Sequence, residues 1–437
     1  MKSFRFLTRA ALLPPLMAVC LTAAPALADK ASDTLNWASR YPIDVIDPYA
    51  NTSREATIIN AQLVWDTLIW RDPETGEYLP LLATEWSWKD DTTLSFTLRN
   101  DVTWHNGEPL TVEDAVATFN RISAPDAKIG IPNNVRWIAG AEATGENTFD
   151  LKLNMAFPAA LEYVSSLLPI LPADLYGADG NSMPTVETAV GTGPYKIVAF
   201  EPSSSVELEL WDGYIADSPK GQPVISRIVN RTIPDNSTQL AELLSGGVDW
   251  IWNVPVDQAE PLRAHPDVTV IAGETMRQSM INFNIRDRDG VNPLQDLRVR
   301  KAIAHAIDRE RLIGALVGEG SSVPLASCSV SQFGCDQNVQ QYEYDPELSR
   351  QLLAEAGYAD GLALDLQATR DPNWTTAVAG FLEAVGIDPT INFLTYPAAQ
   401  ERLSNNVSDL YLLDHGFFSI NDTSAACWPC LYEIPLL

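Results

Sequence analysis

Between Ser279 and Gly318 the hydrophobic positions change from one period to another. Met280 to Asn284 reads as a short strand, and Gly290, Asn292 and Pro293 mark a loop. Val299, Ala302, Ile303, Ala306, Ile307, Ile313, Leu316 and Val317 then recur at helical spacing and predict one long helix. Asp296 stands where its carboxylate can accept N–H groups of the first turn, and Gly318 supplies the stop. Comparable lengths of sequence flank this stretch. It reads as the crossing between two lobes, with function in the cleft between them.

Upstream, Thr34 to Ser39 reads as a strand and Asp44 to Tyr49 as a turn. A helix is expected from about Arg54 to Leu68, with Ile58, Ile59, Leu63 and Val64 on one face. Leu94, Phe96 and Leu98 alternate as a strand, His105-Asn106-Gly107 is a turn, and Thr111 with Asp114 forms a capping-box-like pair. Gly191-Thr192-Gly193-Pro194 lacks the lysine and following helix of a phosphate loop, so it reads as a turn before the strand Tyr195 to Phe200. Asp235 or Asn236 caps a helix that stops at Gly246-Gly247, and the strand Val248 to Trp252 puts Trp250 and Trp252 on one face. Downstream, Asp345 and Pro346 open a helix ending at Gly357. Strands are expected at Leu362 to Leu366 and Ile391 to Leu394, a helix at Val378 to Val385, and Asp409 to Leu413 leads into a loop from Asp414 to Asp422.

The segment DLRVRKAIAHAIDRERL resembles the helix that opens the second large lobe of extracellular solute-binding proteins of the peptide/nickel type, family 5. LRNDVTWHNGEPLTVEDAVATFNRI, GTGPYKIVAFEPSSSVELEL and YEYDPELSRQLLAEAGYADG fit the same family in the same order. The resemblance implies an α/β fold of the periplasmic-binding-protein type II (Venus-flytrap) kind. Residues 29–70 plus 190–275 would form lobe I, 71–189 a small extra α/β domain in that lobe, and 276–437 lobe II. Relatives continue for several dozen residues beyond the equivalent of Leu437, so the resemblance also implies that a last segment returning to lobe I is missing.

Residues 1–28 read as a secretory leader: Lys2, Arg5 and Arg9, an apolar run from Ala10 to Leu21, and Ala26-Leu27-Ala28 as the cleavage signal. Cys20 follows Val19, where a lipobox wants Gly or Ala, so cleavage after Ala28 is expected, with export to the periplasm. The net charge of −28 repels phosphate backbones and argues against nucleic-acid binding. Cys328, Cys335, Cys427 and Cys430 follow the leader and favour disulfides in an oxidising compartment. Proximity suggests Cys328–Cys335 and Cys427–Cys430, with two other pairings open.

As the binding component of an ABC importer, a monomer of this kind would capture a small peptide or peptide-like, amine-bearing solute and deliver it to permease subunits in the inner membrane. No cofactor is expected. In the peptide-binding relatives an aromatic residue and an aspartate of one cleft loop meet the ligand. Here Phe417 falls at the aromatic position and Ile420 at the aspartate position, with Asp422 two residues on and Asp414 close by. Both aspartates read equally well as turn caps. Asn51, Trp252, Met280 and Trp374 complete the candidate ligand-binding set. Nickel complexes, haem or oligosaccharides are the alternative ligands of the same fold. Catalysis is not expected, since no G-x-S-x-G or H-E-x-x-H occurs. A secreted glycosidase is the rival hardest to exclude, because 57 acidic residues offer many carboxylate pairs.

Overall fold

The computed structural model describes residues 33–425 except 52, 177–182, 289, 291, 319, 370–371 and 417–419. The leader, Phe417, Cys427 and Cys430 therefore lie outside the described residues.

The first half is built on a five-stranded sheet in the order Trp250–Ile251, Thr34–Ser39, Arg227–Thr232, Ser205–Leu210 and Tyr195–Glu201. Thr34–Ser39 runs parallel to both its neighbours, and the remaining pairs are antiparallel. A second, all-antiparallel sheet of Ala83–Asp90, Thr93–Leu98, Thr148–Leu153 and Ile138–Ala143 is inserted into this half. The helix Val112–Ile122 covers it with Val112, Ala115, Phe119 and Ile122, all buried and all on one face. Phe119 meets Phe149 at 6.0 Å and Phe149 meets Phe96 at 5.4 Å, so the helix is fixed to the sheet by a run of three rings. The N–H and hydroxyl of Thr111 both donate to Asp114, which starts the helix where the sequence expects it. Both sheets share one buried cluster, so the insertion is packed onto the first half.

The second half is a four-stranded sheet in the order Gln278–Phe283, Leu410–His415, Leu362–Ala368 and Ile387–Phe393. Its helices include Leu297–Ala306, Arg309–Leu316, Pro346–Glu355 and Pro372–Glu383. Gln278–Phe283 crosses between the halves. Ile281 and Phe283 pack into the second core, whereas Met280, on the opposite face, packs against the first.

Three expectations need correction. The helix foreseen from Asp296 to Gly318 is two helices, because Ile307 is extended and the Asp308 carboxylate accepts the Arg311 N–H at 3.0 Å as a fresh cap. The helix foreseen to Leu68 is α-helical only over Arg54–Ile58 and becomes a π-type turn over Ile59–Val64. There the Val64 carbonyl is drawn to the Gly193 N–H (2.8 Å), and a Cβ on Gly191 would lie 1.8 Å from that oxygen. Close backbone approach is what the two glycines supply. Finally, Ile420 and Ala425, expected in the second lobe, are buried in the core of the first. The chain therefore passes between the halves again after the strand Leu410–His415.

Candidate functional site

Tryptophans gather at one edge of the five-stranded sheet. Trp37 and Trp250 are direct neighbours in the parallel register, which stacks their rings at 5.1 Å. Trp252 stands edge-on to Trp37 at 5.4 Å, and the Arg54 guanidinium lies 4.3 Å above the Trp252 ring. Trp37 is buried, whereas Trp250 is 41% exposed, so the cluster has a fixed inner ring and an open outer one. Trp252, like Met276 and Met280 on and before the crossing strand, packs against the first core.

The tryptophan cluster and the crossing strand both hold hydrogen-bond donors with nothing to donate to. Among the described residues the indole N–H groups of Trp37 and Trp252 and the Asn282 side-chain amide are buried and meet no acceptor. Asn282 lies on the same face of the crossing strand as Met280. A buried donor left unmade costs about 1–3 kcal/mol, so this arrangement is poised to take up acceptors.

The other candidate residues are engaged elsewhere. Asn51 accepts the Ser53 N–H at 2.8 Å and donates to the Val45 carbonyl at 3.3 Å, fixing the turn before the helix Arg54–Ile58. Asp414 is paired with Arg277 at 2.5 Å across the antiparallel strands. The Asp422 carboxylate accepts the Ser424 N–H at 2.8 Å and caps a single turn. Trp374 lies in the first turn of the helix Pro372–Glu383 and packs against the second core. Of the six candidates among the described residues, Trp252 and Met280 pack against the first core. Trp37, Arg54, Arg277 and Asn282 were not singled out from the sequence. For Trp37 and Trp250 the signal was available, since both sit in strands of one predicted lobe.

His105 serves the fold. Its Nδ1 accepts the Gly191 N–H at 3.1 Å, and its Nε2 lies 2.9 Å from the Gly193 carbonyl. Burial pulls its pKa down to about 4, against the opposing pull of the Gly193 carbonyl and Asp66. Beside it Lys220 pairs with the fully buried Asp66 at 2.7 Å, and Thr192 donates to the same carboxylate. Cys328 and Cys335 form a disulfide with Cα atoms 5.8 Å apart. Among the described residues no group of three His, Cys, Asp or Glu side chains could hold a metal ion. No helix among them is long and apolar enough to cross a membrane. An open recess of about 670 Å³ beside Arg99 lies on the inserted sheet, and there the arginine is already paired with Asp101 and Asp217.

The glutathione-binding protein GsiB of Salmonella typhimurium is 27% identical over 308 residues, 69% of this chain and 58% of the relative. The chain thus spans less than two thirds of the length of the curated relatives it matches. Among solved structures, the periplasmic binding protein DppA of Helicobacter pylori with the peptide STSA superposes with a TM-score of 0.76. It is 23% identical, with 90% of this chain and 80% of that chain covered. NikZ of Campylobacter jejuni with Ni(L-His) gives 0.72 at 22% identity, covering 90% and 82%. These likenesses show the periplasmic-binding-protein type II fold. The family model for bacterial extracellular solute-binding proteins, family 5, matches residues 77–433. The protein belongs to that family.

Proposed function

We propose that the chain is the periplasmic substrate-binding component of an ABC importer, holding a small peptide or peptide-like solute between its halves and passing it, unaltered, to permease subunits in the inner membrane. The observation that carries this reading is the crossing strand. Met280 faces one core and Ile281 and Phe283 face the other, and the first half carries an exposed tryptophan stacked on a buried one. A solute touching both halves favours their closure over it, and a closed site strengthens each polar contact made inside. Lobe I is assigned to 29–70 plus 190–275, the small domain to 71–189 and lobe II to 276–415, with Ile420–Ala425 returned to lobe I. Export by a leader cut after Ala28 and action as a monomer belong to the same reading.

The donors support a ligand that presents acceptors, a carboxylate or amide carbonyls, to Trp252 and Asn282. An ammonium group would have to draw Asp414 from Arg277 or Asp422 from the Ser424 N–H. Peptides carry both kinds of acceptor. Calorimetry with the dipeptide Met-Leu, with glutathione and with Ni(L-His) tests the reading, the expected result being saturable one-to-one binding of a peptide probe. Absence of binding to all three, or turnover of glycosides by the purified chain, would reject it.

A further inference from the structure

The disulfide between Cys328 and Cys335 closes a small ring in sequence that follows the helix Arg309–Leu316 of the second half. Inside that ring Gln332 is only 3% exposed, and its amide is fully used. Its Oε1 accepts the Ser329 N–H at 2.9 Å, and its Nε2 donates to the carbonyls of Ile420 at 2.9 Å and Asp422 at 3.2 Å. Phe333 adds a ladder-like pair, donating to Asn421 at 2.8 Å and accepting from Thr423 at 3.1 Å. The clasped segment is in turn seated on the first half. Ile420 is buried in the first core, and the Asn421 N–H donates to Glu162 at 3.0 Å. Glu162 is itself held by Arg71 at 3.0 Å. The outer face of the ring gains almost nothing from apolar burial, since Val330 and Phe333 are 74% and 78% exposed. Its attachment is therefore polar and directional, and the disulfide fixes the backbone that makes it.

We propose that Gln332, held in place by the Cys328–Cys335 ring, is a positioning residue that clasps Ile420–Ala425 to the first half, forming a second tie between the halves beside the crossing strand. This rests on the reading that the solute is held between those halves. The clasp then sets how far the halves part and, through that, the affinity of the site. A side chain without a donor at 332, or an opened ring, lets the segment leave Glu162 and the first core.

Hydrogen exchange and calorimetry on the full chain test this, using Gln332→Met and the double variant Cys328→Ser/Cys335→Ser. Amides of Asn421 and Thr423 should exchange at least about tenfold faster, while the strand Gln278–Phe283 keeps its protection. Affinity for whichever of Met-Leu or glutathione the unaltered chain binds should fall about tenfold. Gln332→Glu should behave like Gln332→Met at pH 7.5, where a carboxylate faces two carbonyls. At pH 4.5 it should regain protection relative to the unaltered chain at the same pH, because the protonated carboxyl can donate. A residue acting by bulk alone would show no such recovery. Unchanged exchange in both variants, or faster exchange with unchanged affinity, overturns the proposal. If the unaltered chain binds none of Met-Leu, glutathione and Ni(L-His), the solute-binding reading is what fails, and the exchange result alone decides the clasp.

Discussion

Trp37 and Trp250 lie face to face at 5.1 Å on adjacent parallel strands, the first sealed in the core and the second 41% exposed. One ring therefore carries stability and the other is available for a solute. Trp37→Ala should cost about 3–5 kcal/mol, the usual range for emptying a buried aromatic site. Trp250→Ala should cost about 1 kcal/mol of stability, the scale of one aromatic pair, while weakening solute binding severalfold. Denaturant unfolding and calorimetry on the two variants separate these effects.

Lys220 is buried against Asp66, and its ammonium also donates to the Gln62 carbonyl at 2.6 Å. Lys220→Met should therefore leave a buried carboxylate without its cation and destabilise the chain by about 3–5 kcal/mol. Adding Asp66→Asn should return much of that loss, since a neutral amide removes the stranded charge. Urea midpoints of the single and double variants give the comparison.

His105 makes stability depend on pH. Its folded pKa of about 4 lies below the ordinary value of 6.5, so the unfolded chain binds the proton more readily. Its contribution is complete above pH 6.5 and is lost as pH falls through 4, up to about 3 kcal/mol. Urea unfolding at pH 7.5, 5.5 and 4 should show this slope, and His105→Gln should flatten it.

Gly191→Ala should be among the more damaging single-methyl additions in the protein. The new Cβ would meet the Val64 carbonyl at 1.8 Å, which is backbone and cannot rotate away. Forced repacking of this kind costs about 1–3 kcal/mol, and the loss of melting temperature measures it.

The elements set by local chemistry were legible in the sequence. Thr34–Ser39 appears with the expected bounds, and Asp235, Asp296 and Asp345 each accept an N–H in the first turn of their helices. What was missed depends on partners distant in sequence. The π-type turn at Ile59–Val64 exists because Gly193, far along the chain, reaches the Val64 carbonyl. Asp308 carried a readable cap signal, but the hydrophobic period ran across it and suggested one helix. In the site, the strand expected over Val248 to Trp252 is only Trp250–Ile251, so Trp252 lies just past its end. Its contacts with Trp37 and Arg54 come from topology, as does the pairing of Arg277 with Asp414. Composition gives the charge of an aspartate and says nothing of whether an arginine already holds it.

Native mass spectrometry of the chain purified from the periplasm bears most directly on the clamp between the halves. One small solute per chain is expected, released unaltered on denaturation and carried at lower occupancy by Trp250→Ala and Asn282→Leu. A bare chain, a chemically altered solute, or equal retention by both variants would contradict it.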